Sequence, residues 1–128
     1  MRKSSLAAML AAFAFSSAQA EDNSSAYSQC MDKASSTVAM GECIKAETKL
    51  QDERLNRVYK QLMAKLDAGK QKSLREVQRN WITYRDGNCR FHAQASGGTL
   101  ASINGGMCVM DMTRERGAEL ERILSPGQ

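Results

Sequence analysis

The chain has 128 residues, with 18 Lys and Arg, 14 Asp and Glu, four cysteines and a single histidine. Basic and acidic residues alternate and form no concentrated stripe, which argues against nucleic-acid binding. No stretch is both long and apolar enough for a membrane-spanning helix, which needs about 20 residues, so membrane insertion is not expected.

The first twenty residues have the three parts of a secretory leader. Arg2 and Lys3 supply the positive start, Leu6 to Phe15 is an unbroken apolar run, and Ala18-Gln19-Ala20 ends in small residues suited to a signal peptidase. Cleavage after Ala20 would start the mature chain at Glu21. Losing Arg2 and Lys3 from 18 basic residues leaves 16 against 14 acidic ones, a formal charge of +2. The expected mature product, residues 21–128, is one domain with one modest core, periplasmic or secreted and unanchored. Its oligomeric state is not legible in the sequence.

Helix formers dominate the mature chain, and β-branched alternation is nearly absent. A short first helix is expected around Ser24 to Ala34, carrying Cys30. Ser35, Ser36 and Thr37 then offer N-cap oxygens to a long second helix, about Val38 to Ala68. Its Met40, Ile44, Leu55, Val58, Leu62 and Leu66 fall on one face, and Gly69 suits its C-cap. A third helix is expected over about Gln71 to Phe91, with Leu74, Val77, Trp81 and Tyr84 as its inward stripe. Gly97-Gly98 and Gly105-Gly106 bracket an expected flexible loop. The last helix runs from about Met107 to Leu124, or starts earlier near Thr99 and is weakened at the glycines. Cys108, Met112, Leu120 and Ile123 face inward on it. The predicted fold is all-α: a small antiparallel bundle of three main helices plus a short N-terminal one.

An even cysteine count in an exported chain reads as two disulfides. Of the three possible pairings, Cys30–Cys43 and Cys89–Cys108 are favoured, because each closes a short segment between neighbouring elements. Loops of this size contribute roughly 3 kcal/mol each in the chain-entropy model. Zinc is not expected: no C-x₂-C spacing is present, and His92 stands alone. Met107, Met110 and Met112 around Cys108 would suit Cu(I), but oxidised cysteine and core filling explain them better. No cofactor is expected.

Three polar residues fall where apolar ones belong. Advancing about 100° per residue places Glu47 in the apolar stripe of the second helix, with Gln51 beside it. Arg85 falls on the inward face of the third helix and Arg116 on that of the last. Unpaired buried charge is costly, so Glu47 is expected to pair with Arg85, Arg116 or both. Such a network would fix helix register. The sharper alternative is an anion pocket in which two guanidinium groups exceed one carboxylate.

These residues occur in a recognisable order. Cys30 and Cys43 precede Glu47 and Leu55-Asn56-Arg57-Val58-Tyr59. Then come Gln78-Arg79-Asn80-Trp81-Ile82-Thr83-Tyr84-Arg85-Asp86, Cys89, Gly97-Gly98-Thr99, Cys108 and Thr113-Arg114-Glu115-Arg116. The pattern resembles the LprI-type lysozyme-inhibitor domain family over about Cys30 to Leu124, with Asn104-Gly105-Gly106 richer in glycine than the family pattern. The resemblance implies an exported, disulfide-bonded helical domain that inhibits lysozyme, without identifying an inhibitory residue.

Three functions then compete. The first is an inhibitor that occludes a cell-wall glycosidase, through a loop from Ala93 to Gly106 held at its base by Cys89–Cys108. Ala93, Gly97, Gly98, Thr99, Asn104, Gly105 and Gly106 are its candidate binding residues. A charge near +2 gives no steering toward basic lysozymes, so this reading wants a local acidic patch from Asp86, Asp111, Glu115 and Glu119. The second is an envelope module for a small ligand or another protein, such as an immunity or stress adaptor. The third, an enzyme, is not expected, because no nucleophile–base pair or metal cluster is visible.

Overall fold

The computed structural model describes residues 23–127; the leader expected over residues 1–20 lies outside them. Four helices follow in order: α1 Ser25–Lys33, α2 Thr37–Lys65, α3 Ala68–Ser96 and α4 Leu100–Leu124. No strand occurs among the described residues. The first three starts are capped by short polar side chains. Ser24, Ser36 and Asp67 accept hydrogen bonds from the backbone N–H of Tyr27, Ala39 and Lys70, each satisfying a first-turn donor.

Cys30–Cys43 ties α1 to α2, and Cys89–Cys108 ties α3 to α4. Both are the favoured pairings, and no cysteine is free among the described residues.

The last helix in sequence is the middle one in space, packing on α2 and on α3. Its contacts define direction. Along α2, Ile44 clusters with Ile103 and Met110, while further on Leu55 faces Gly117 and Arg54 pairs with Glu121. Positions rise together, so α2 and α4 run parallel. Along α3 they run oppositely: Arg85 meets Thr113, Cys89 meets Cys108, and Ser96 meets Asn104. Consecutive long helices therefore alternate in direction around two apolar clusters. One holds Leu55, Val58, Leu62 and Leu120, with Tyr59, Leu66, Leu74, Trp81 and Leu124 against it. The other holds Ile44, Ile103 and Met110, with Tyr27, Met40 and Met107. Each fully buried aliphatic side chain contributes roughly 1.5–3 kcal/mol.

Several boundaries differ from expectation. α2 stops at Lys65 with Leu66 as its C-cap, not at Ala68, and Gly69 sits in the first turn of α3. Asp67 caps a new helix at once, leaving no room for a glycine terminator. α3 continues past Phe91 to Ser96 because no residue before Gly97 interrupts it. α4 starts at Leu100 and runs through Gly105 and Gly106, so the expected loop from Ala93 to Gly106 shrinks to Gly97-Gly98-Thr99.

The glycines inside α4 mark close approach, not flexibility. A Cβ on Gly105 would lie 3.0 Å from the Ala93 Cβ, and one on Gly106 would lie 3.2 Å from Ile44 Cγ2. Three side chains expected inward point outward instead: Val77, Tyr84 and Ile123 are 51 %, 63 % and 54 % exposed. α3 touches the rest of the fold along one side, where Leu74 and Trp81 reach the core, so the neighbouring stripe is left in solvent.

Candidate functional site

The α3–α4 hairpin ends in a narrow tip. Gly97 and Gly98 have φ of 64° and 58°, a left-handed conformation that glycine adopts without steric cost. Two such residues in succession reverse the chain within three positions. The tip is braced from both sides: Asn104 Nδ2 donates to Ser96 Oγ at 2.6 Å, and Ser96 Oγ donates to the His92 carbonyl at 2.9 Å. The Gly105–Ala93 contact and the Cys89–Cys108 bond then clamp the hairpin toward its base.

From Phe91 to Met110 the sequence contains no Asp, Glu, Lys or Arg. The tip residues from Gln94 to Leu100 are all exposed, and the flanking Phe91 and Leu100 are 65 % and 57 % exposed. Thr99 is the N-cap of α4 but makes no side-chain cap bond. The Ala101 N–H of the first turn already donates to the Gly98 carbonyl at 3.3 Å, so the Thr99 hydroxyl is the side-chain donor at the positive end of the α4 dipole, where a carboxylate is stabilised. Of the residues expected in a binding loop, Gly97, Gly98 and Thr99 form this tip. Asn104 braces it, whereas Ala93, Gly105 and Gly106 are helical packing residues below it.

The buried polar residues separate into two groups. Glu47, 1 % exposed, accepts from the Ser24 N–H at 2.9 Å, from the Ser24 hydroxyl at 2.5 Å and from Gln51 Nε2 at 2.8 Å. Burial alone would raise its pKa. The bonds from Ser24 and Gln51 outweigh that, helped by the Arg114 charge, and hold the carboxyl below its ordinary range. Gln51 Oε1 is buried without a partner.

Near the other end, Arg85 and Arg116 lie 5.1 Å and 6.0 Å from the centre of the Trp81 ring, within cation–π range. Arg85 pairs with Asp86 at 2.9 Å and donates to the Thr113 hydroxyl at 3.3 Å. Arg116 pairs with Glu119 at 2.7 Å and donates to Gln78 at 3.0 Å. Beside them opens a cleft of about 220 Å³, lined by Trp81, Met112, Glu115, Arg116, Glu119 and Arg122.

The expected pairing of Glu47 with Arg85 or Arg116 is not formed. In the parallel α2–α4 register Arg116 lies at the level of Leu55, about two helical turns beyond Glu47. α1, not α3, covers Glu47. The sequence reading missed Ser24 as its partner. The retrievable signal was a serine ahead of a helix that Cys30–Cys43 must bring onto α2. No group of three or more His, Cys, Asp or Glu residues that could hold a metal occurs among the described residues.

A family model described as Lysozyme inhibitor LprI matches residues 30–120. The chain belongs to the LprI lysozyme inhibitor family. The matched span contains both disulfides, Glu47, Trp81 with Arg85 and Arg116, and the hairpin tip, while Ser24, the partner of Glu47, lies just ahead of it. An uncharacterised protein of Rhizobium meliloti (strain 1021) is 28 % identical over 110 residues, covering 75 % of this chain and 79 % of that protein. No solved structure matches the chain. The LprI family is an inhibitor family rather than an enzyme family. No helix among the described residues is long and apolar enough to cross a membrane.

Proposed function

We propose that residues 21–128 form an exported inhibitor of lysozyme-type cell-wall glycosidases, acting by occlusion of the catalytic cleft with the α3–α4 tip. The leader motif and two disulfides suit an oxidising compartment outside the cytoplasm. The observation that carries the reading is the tip itself: narrow, braced, disulfide-clamped and free of charged residues from Phe91 to Met110.

A retaining or inverting glycosidase presents two carboxyl groups in a cleft shaped for a sugar chain. A neutral wedge can enter without burying an unpaired charge. The Thr99 hydroxyl, at the positive end of the α4 dipole, offers a donor to a catalytic carboxylate. The clamp lowers the ordering cost of binding. A neutral tip adds no repulsion toward a basic enzyme at the point of contact, while steering would still fall to acidic side chains such as Asp86, Asp111, Glu115 and Glu119.

The test is clearance of a cell-wall suspension by a panel of lysozymes, with the oxidised protein and with a Thr99→Glu variant. Dose-dependent slowing of one class, lost on placing a carboxylate at the tip, supports the reading. Slowing that Thr99→Glu leaves unchanged moves the contact elsewhere, and no slowing of any class removes it.

A second reading, an envelope module for a small anionic ligand, draws on the cleft beside Trp81. Arg85 and Arg116 are already engaged by Asp86 and Glu119, so an incoming anion must displace a carboxylate, which places this reading second.

A further inference from the structure

α3 has 29 residues, and Cys89 is its one buried residue. Its side toward α4 is occupied through Gln78–Arg116, Arg85–Thr113 and Cys89–Cys108. A second stripe, offset around the helix, carries Val77, Tyr84 and Phe91, which are 51 %, 63 % and 65 % exposed. They are spaced seven apart, and Asn80, Gly87 and Gln94 fall between them with the same period. The combined spacing alternates three and four, the seam pattern of paired helices. No charged residue interrupts it. A Cβ on Gly87 would meet nothing within 4 Å, so the helix surface beside Tyr84 is open to close approach.

We propose that this seam pairs with the α3 seam of a second copy of the chain, antiparallel, about a two-fold axis passing near Tyr84. The arrangement of residues selects this occupant. Val77 and Phe91 stand at equal distances on either side of Tyr84, so the two-fold sets each Phe91 on the partner's Val77 and the two Tyr84 rings side by side. Gly87 leaves space for the partner's aromatic edge.

Charge decides the direction. Glu76 and Arg90 border the same edge of the seam, are both exposed, and make no hydrogen bond or ion pair among the described residues. Antiparallel pairing puts each Glu76 against the partner's Arg90, twice per dimer. Parallel pairing would instead set Glu76 and Arg90 beside the partner's Trp81 and the partner's Ala95, and the charge pairs would be lost. A seam of this length falls in the small, reversible class of interfaces, below about 1,200 Å² in total, so association depends on concentration.

The seam ends at Phe91 and Gln94 and leaves the Gly97-Gly98-Thr99 turn uncovered. Because the seams are antiparallel, the two Gly97-Gly98 tips point away from each other.

The experiment is sedimentation equilibrium of the oxidised protein over a wide dilution series. The wild type is expected to move reversibly between monomer and dimer. Tyr84→Glu, which brings two carboxylates together at the axis, is expected to give monomer at every concentration. Glu76→Arg and Arg90→Glu should each weaken association by roughly tenfold or more, and the double exchange should restore it. All are surface changes, and circular dichroism melts check that each variant is folded; Phe91→Ser replaces any that is not. A strictly monomeric wild type, a dimer indifferent to Tyr84→Glu, or a charge exchange that fails to restore association overturns the proposal. A monomer whose inhibition is lost with Tyr84→Glu also overturns it, and assigns the face to another protein.

Discussion

The Cβ of Ala93 stands 3.0 Å from where a side chain on Gly105 would begin. This contact sets the separation of α3 and α4 one turn from the Cys89–Cys108 bond, so the width of the hairpin depends on one missing methyl group. Gly105→Ala forces the helices apart and is expected to destabilise the protein by about 1–2 kcal/mol, although alanine favours helix by about 1 kcal/mol over glycine. Adding Ala93→Gly should recover most of that loss. Thermal melts of the two single variants and the double variant measure the coupling, which should clearly exceed the error of an additive pair.

Glu47 predicts an acid limb in the stability curve. Its carboxyl, held below the ordinary value of 4.5 by Ser24 and Gln51, binds fewer protons in the folded than in the unfolded chain. Its contribution is therefore complete above about pH 4.5 and is lost as pH falls through the lower folded value. Glu47→Gln removes the ionised acceptor and should flatten this limb; urea unfolding midpoints between neutral and strongly acidic pH make the comparison. Glu47→Ala, which leaves Gln51 and the start of α1 without a partner, should cost about 2–4 kcal/mol at neutral pH.

Removing Cys89–Cys108 by a double alanine replacement should lower stability by roughly 3 kcal/mol. If the tip acts as proposed, potency in the clearance assay should fall further than the loss of folded protein explains, because the hairpin is no longer preorganised. Removing Cys30–Cys43 should cost a similar amount of stability but spare the tip, which lies on other helices. The difference between the two variants in potency per folded molecule is the measurement.

Trp81 is the single tryptophan, and its fluorescence reports on the two guanidinium groups beside it. Arg116→Met keeps the apolar stem but removes the bonds to Gln78 and Glu119. Stability should fall by about 1–3 kcal/mol, with a shift in emission at neutral pH. Arg85→Lys should give a smaller effect, since a lysine keeps the charge but loses the planar fork that reaches both Asp86 and Thr113.

Much of the fold was readable because helix formers, caps and cysteine spacing agree with one another. Ser36 caps α2 from within the serine-threonine run, and the two short-range cysteine pairs are the bonds that form. What escaped was axial level and neighbour identity. A helical wheel gives Glu47 its direction correctly, toward the interior, but not its height, and height is what separates it from Arg116. Glycine carries the same ambiguity. At Gly97-Gly98 it reverses the chain, while at Gly105 and Gly106 it lets helices touch, and composition alone does not distinguish the two. On α3, Leu74–Trp81 and Val77–Tyr84 share the same seven-residue interval, so periodicity alone cannot say which pair meets the core.

The two disulfides are neither nested nor crossed, while the helix that closes the core is the last one made. A chain threaded N-terminus first into an oxidising compartment exposes Cys30 and Cys43 together before Cys89 arrives. An oxidant that joins cysteines simply in order of emergence therefore produces the native set, with no reshuffling step. The apolar face of α2 must nevertheless wait for most of its cover until α4, Leu100–Leu124, follows. Covalent maturation can run ahead of folding, and the hazard in producing this protein lies in the interval between the first bond and the arrival of α4.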